Sequence, residues 1–192
     1  MDNTFRTSGV DRGRRQILKI GALGLLAGLC PSISLAKMPS WKSPVKSLAL
    51  YNTHTEESLE TVYWMEGEYL DEPLAEIDYI MRDHRTGEIK SIDPLLLDLL
   101  NAIKKRLGLN RPFHIISGYR SPETNALLRK IDKGVACKSL HMKGKAVDIR
   151  LPNVELSLLR KVTTDLRRGG VGYYPKSDFV HVDLGRLRYW RG

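Results

Sequence analysis

Residues 139–150 read SLHMKGKAVDIR. From Lys145 to Leu151 (KAVDIRL) apolar and polar side chains alternate as in a half-buried strand. His141 stands in a loop just before that strand, Gly144 permits a tight turn, and Asp148 falls inside the strand, seven residues after the histidine. A second piece, FVHVD at 179–183, puts His181 in the middle of another strand. Two imidazoles and one carboxylate form a donor set that suits zinc, and three protein ligands leave a fourth position for water. Spacing alone does not separate such a site from histidines hydrogen-bonded in a core, so the neighbouring residues decide. His54, His84 and His114 carry no such neighbours and read as core or surface residues.

Outward from these two strands the chain alternates between elements. Ser47–Asn52 and Glu60–Trp64 read as paired strands around a polar turn. Glu72–His84 suggests a helix stopping near Gly87. A stronger helix follows, with Asp93 as cap and Pro94 at its first position. Leu96, Leu99, Leu100, Ile103 and Leu107 give it one apolar face, and Gly108 ends it. Pro112–Ser117 is a short strand, and Ser121 with Pro122 opens the next helix. Asn153 is the expected cap of a helix running to about Arg168, closed by Gly169-Gly170. Val171–Tyr174 and Phe179–Leu184 complete the chain as two strands, too closely connected for a parallel crossover. The expected class is α+β: a mainly antiparallel sheet with helices on one side.

The N-terminus reads as an address. Arg14 and Arg15 precede a short apolar run, IGALGLLAGL at 20–29, which is too short to span a bilayer. Pro31 breaks the run, and Ser34-Leu35-Ala36 offers small residues where a signal peptidase reads. The pattern is that of a twin-arginine signal over residues 1–36, cut after Ala36, with a linker at 37–46 and one domain from 47 to 192. A buried helix behind a basic tail is the competing reading. The coincidence of arginine pair, short run and cleavage site favours the signal. Lipid attachment at Cys30 is disfavoured by Leu29 before it. The expected partners are then the twin-arginine export machinery and a periplasmic substrate, with no transmembrane anchor after cleavage.

The 192 residues, 42% hydrophobic and 28% charged, suffice for a buried core without disulfides. The two cysteines are Cys30 and Cys137, and loss of the leader would leave Cys137 without a partner. The net charge of +9 favours polyanions. Export excludes chromosomal nucleic acid as partner and leaves a wall or membrane surface, or a merely solvated face.

Ser139, His141, Gly144, Ala146 and Asp148 match the pattern SxHxxGxAxD, and SGYRS at 117–121, GGVGYYP at 169–175 and FVHVD at 179–183 agree with it. On these motifs the chain resembles the M15 family of zinc peptidases, which includes D-alanyl-D-alanine carboxypeptidases and dipeptidases. The resemblance covers nearly all of the chain beyond the leader. It implies a fold like that of the Hedgehog and D-Ala-D-Ala peptidase group, and zinc held by His141, Asp148 and His181. It also implies hydrolysis of peptide cross-links in peptidoglycan, favouring the bond between two diaminopimelate residues. Two other readings stand beside it: a carboxypeptidase trimming a terminal D-amino acid, and a zinc-bearing wall-binding module without turnover.

The resemblance places Arg120 near the metal, where a guanidinium holds a substrate carboxylate or a developing oxyanion. It also points to Asp178, three residues before His181, as the acid that moves the proton. Asp183 is the rival, since strand alternation turns it to the same side as His181. It also suits the role of a partner orienting a ligand. Ser139 reads as a local cap of the metal loop, and Cys137 as a bystander. Tyr173 and Tyr174 read as groove residues, one of them turned to the core.

Overall fold

The computed structural model describes residues 45–192. The expected signal segment with Cys30 and the cut after Ala36, and the linker as far as residue 44, lie outside the described residues. Among the described residues no helix is long and apolar enough to cross a membrane.

Eight strands form one sheet: β1 (Val45–Asn52), β2 (Ser58–Met65), β3 (Glu68–Tyr69), β4 (Phe113–Ser117), β5 (Ala146–Arg150), β6 (Gly170–Tyr174), β7 (Phe179–Asp183) and β8 (Arg188–Arg191). Their spatial order is β3-β2-β1-β4-β5-β7-β6-β8. All neighbours are antiparallel except β1 with β4 and β6 with β8. The architecture is thus the expected α+β with a mainly antiparallel sheet. The first strand starts at Val45, so the last two residues of the expected linker belong to the sheet. Strands β3 and β8 are additions. Both are short and lie at or near exposed edges, where little hydrophobic alternation is needed to hold them.

Period-two alternation sorts the strands into two faces. Leu48, Leu50, Phe113, Ile115, Val147, Ile149, Val180 and Val182 point one way into the core. Helices α1 (Asp71–Ile80), α2 (Pro94–Leu107) and α4 (Leu156–Leu166) cover them through Ile77, Ile80, Leu96, Leu100, Ile103 and Leu159. In α2 the Asp93 carboxylate accepts from the Leu95 amide at 3.0 Å, Pro94 opens the first turn and Gly108 closes the helix with φ 64°. Such a cap contributes about 1 kcal/mol.

Two helix ends differ from expectation. Helix α1 stops at Ile80, because Asp83 leaves the helical pattern to bond backbone amides of residues 85 and 121. Helix α4 begins after Glu155 without a side-chain cap, while Asn153 takes a left-handed turn at φ 59°. Helix α3 (Pro122–Ile131) opens as expected, with Ser121 Oγ accepting from the Thr124 amide at 3.1 Å.

The opposite face of the sheet carries the polar residues of β5 and β7. A bulge in β4 between Ile115 and Ser117 sets Ser117, rather than Ile116, opposite Asp148.

Candidate metal centre

Three elements deliver the ligand set. His141 sits in a short 3₁₀ turn, Leu140–Lys143, capped by Ser139, whose hydroxyl accepts from the His141 amide at 3.3 Å. Gly144 ends the turn at φ 64°, and a Cβ there would collide with the Ser91 carbonyl oxygen. Asp148 and His181 face one another across the β5–β7 register. The sheet and the turn together bring the three side chains to one point, and His141 and Asp148 are buried there.

The hydrogen bonds decide which atoms meet. His141 Nδ1 is 2.8 Å from the Gly118 carbonyl oxygen, so that nitrogen carries the proton and Nε2 presents a lone pair. His181 sits between two carboxylates, Nε2 2.9 Å from Asp183 Oδ2 and Nδ1 2.8 Å from Asp148 Oδ1, so the metal-free ring donates from both nitrogens, and a metal on Nδ1 would replace the proton there. His141 Nε2 and His181 Nδ1 are 3.1 Å apart, and Asp148 Oδ1 lies 2.8 Å from His181 Nδ1 and 3.3 Å from His141 Nε2. The two imidazole nitrogens and the carboxylate oxygen are thus drawn together around one shared positive charge, a role that a bound metal ion could take. Without a metal ion a proton takes that role. Burial disfavours charge on His181, but the bonds to Asp148 and Asp183 outweigh it and push the imidazole up to about 9. Burial holds His141 below its ordinary value, and the two imidazoles beside Asp148 hold that carboxyl far below the usual range despite its own burial. The residues present fit a divalent ion with borderline-soft nitrogen preference.

Asp183 lies behind His181, away from the ligand point, and is fully buried. Besides His181 it accepts from the amides of Gly170 and Gly185 at 3.1 and 2.7 Å, and from Arg188 at 2.6 Å. Burial opposes its charge, but these bonds hold its carboxyl well below the usual range. Arg188 was not singled out from sequence, since its partner becomes visible only once β8 pairs beside β6.

Arg120 stands on the other flank. Its side chain is 12% exposed, and its terminal nitrogens reach Asp148 at 3.7 Å, Ser117 Oγ at 3.3 Å and Asn125 Oδ1 at 3.5 Å. These contacts are long, and the buried Nε has no partner. Asp178 is placed apart from this cluster. It is 64% exposed at the turn before β7, with φ 53°, and its Oδ2 accepts from Arg150 at 3.2 Å. Cys137 is exposed and outside the ligand set.

The remaining histidines lie away from the candidate metal site. His54 and His84 stack with centroids 3.7 Å apart, and His114 packs on Tyr51. Of the tyrosine pair, Tyr173 packs against the core, whereas Tyr174 stacks on Phe179 and its hydroxyl accepts from Trp190 Nε1 at 2.8 Å. Trp190, also unforeseen from sequence, sets its ring 5.2 Å from that of His181 and so walls the site.

Residues 41–190 match the M15_2 peptidase family, described as peptidoglycan L,D-endopeptidase MepK. The chain is 42% identical over 180 residues to the peptidoglycan L,D-endopeptidase MepK of Escherichia coli strain K12, covering 94% of this chain and 98% of that protein. It is 39% identical over 184 residues to the probable peptidoglycan L,D-endopeptidase MepK of Haemophilus influenzae, covering 95% and 98% respectively. No solved structure matches. The motifs that suggested a metal peptidase, the converging ligand set and these relatives agree, and the chain belongs to the M15 peptidases of the L,D-endopeptidase MepK family.

Proposed function

We propose that this protein is a zinc-dependent murein endopeptidase that hydrolyses peptide cross-links of peptidoglycan, at the bond between two diaminopimelate residues. We further propose that it works in the periplasm after export by the twin-arginine pathway. One observation carries the catalytic reading: His141 Nε2, His181 Nδ1 and Asp148 Oδ1 converge on one point, with each imidazole gripped on its other nitrogen by Gly118 or Asp183. The names of the relatives supply the substrate class.

Bound by these three residues, zinc would supply a Lewis acid for the scissile carbonyl and lower the pKa of a water molecule. The chain's own groups do the rest. His141 and His181 are held in place on their outer nitrogens by Gly118 and Asp183, so that a bound metal would have to displace only the proton shared between His181 and Asp148. Arg120, with long contacts and an unpaired Nε, is the group to receive the oxyanion or a substrate carboxylate. Asp183 is committed on every side and serves as the orienting partner of His181. The proton of the attacking water is assigned to Asp178, exposed at the head of the strand that carries His181 and held by an exposed ion pair with Arg150.

The test is digestion of defined cross-linked dimers with the full chain, with zinc supplied and with zinc chelated. Zinc-dependent conversion of dimers to monomers supports the reading. Shortened monomers with intact cross-links would make it a carboxypeptidase, and zinc binding without product would make it a binding module.

A further inference from the structure

Arg150 follows Asp148 by two residues on β5, so both side chains stand on the metal face of the sheet, about 7 Å apart along the strand. Its ion pair with Asp178 joins side chains that are 40% and 64% exposed. A pair this wet is held weakly and exchanges easily. The two residues border a recess of about 500 Å³, walled also by His114 and the segment 151–156. His114 faces Arg150 across the β4–β5 register, and its Nδ1 is buried without a hydrogen-bond partner. Burial, helped by the positive charge of Arg150, lowers the pKa of His114, so the neutral ring can donate from that nitrogen. The recess thus offers a guanidinium in an exchangeable pair, with the His114 ring as part of its wall.

We propose that this recess is a substrate subsite in which Arg150 binds a carboxylate carried on the peptide beside the scissile bond, and that the carboxylate displaces Asp178 from Arg150. The inference rests on the peptidase reading above. A diaminopimelate side chain ends in a carbon bearing both an amino and a carboxyl group, so a link between two such residues presents a carboxylate close to the bond that breaks. The Arg150 guanidinium donates to that group in a two-point contact. One guanidinium edge does not hold two carboxylates without repulsion, so the incoming anion releases Asp178. The proton carrier is then freed only when the correct substrate is seated.

The experiment compares two defined dimers, one with the side-chain carboxyl next to the cross-link free and one with it amidated. Each is assayed with the full-length zinc-loaded wild type and with Arg150→Gln, with zinc content measured for both. Wild type is expected to favour the free carboxylate by roughly 10- to 100-fold in kcat/KM, the size of a charge-assisted contact. Arg150→Gln is expected to lose that preference through KM. On the amidated dimer it is expected to equal or exceed wild type, because nothing restrains Asp178. A preference that survives in Arg150→Gln, or a variant slower than wild type on the amidated dimer, overturns the subsite. Equal rates on both dimers in wild type overturn it too. If wild type cleaves neither dimer, the endopeptidase reading itself falls.

Discussion

Asp183 Oδ2 stands 2.9 Å from Nε2 of His181, on the opposite edge of the ring from Asp148. The carboxylate that strand alternation turns to the side of His181 therefore grips the ring edge away from Asp148, and with a metal on Nδ1 it would hold the proton on Nε2. Removing its charge while keeping its shape should leave turnover partly intact but loosen the metal. Asp183→Asn is expected to lower zinc affinity about 10- to 100-fold. Competition with a chromophoric chelator measures this. Unchanged affinity would detach Asp183 from the metal site.

Asp178→Asn should behave in the opposite way. Zinc content is expected to stay at the wild-type level, while turnover on cross-linked dimers falls by a factor on the order of 10² to 10⁴. Atomic absorption and product analysis on the same sample check both halves. A zinc-replete, fully active Asp178→Asn beside an inactive but zinc-replete Asp183→Asn would exchange the two roles.

The proton on His181 sets a pH dependence. In the metal-free protein burial works against that charge, but Asp148 and Asp183 more than offset it and hold the imidazole at about 9. Zinc must expel that proton below pH 9. Apparent affinity is thus expected to climb about tenfold per pH unit up to that point and level off above it. The same raised pKa stabilises the metal-free fold. That contribution is complete below the ordinary histidine value of 6.5 and is lost as the pH rises through about 9. The Tm of chelated protein should fall across that window more than the Tm of zinc-loaded protein.

Gly118 carries the carbonyl that orients His141, and it lies against another chain segment. A Cβ at this position would collide with the Met81 carbonyl oxygen, and the amide of the next residue bonds that same oxygen at 2.7 Å. Gly118→Ala is expected to cost about 1–3 kcal/mol through forced backbone movement, and to weaken zinc binding as well. Urea denaturation and zinc titration read the two effects. Loss of stability with unaltered zinc affinity would show that His141 does not depend on this carbonyl.

The proposed export is tested at Arg14 and Arg15. Replacing Arg14 and Arg15 with Lys is expected to hold the precursor inside the cell. Mature protein recovered from the periplasmic fraction of that variant would remove the twin-arginine assignment.

Much of the fold was legible in the sequence because local chemistry and burial agree there. The Asp93-Pro94 start of α2, the Ser121 cap of α3 and the alternation of β5 each follow from a backbone rule that tertiary contacts only reinforce. The proposed ligands His141, Asp148 and His181 were legible through the motifs around them, SxHxxGxAxD and FVHVD, because spacing alone does not separate a metal site from hydrogen-bonded core histidines. The early end of α1 was not legible, because the Asp83 carboxylate that ends it bonds the amide of Ser121, far along the chain. Nor was the strand β8, whose edge pairing brings Arg188 to Asp183 and Trp190 to His181. Sequence singled out the side chains proposed to carry the chemistry. Only the tertiary structure decided which atom each presents: Asp183 bonds the far edge of His181, Gly118 binds His141, and Asp178 sits with Arg150. The physical reason is that ligand identity is a property of a residue. Tautomer and proton position are set by hydrogen bonds between segments that meet only when the sheet closes.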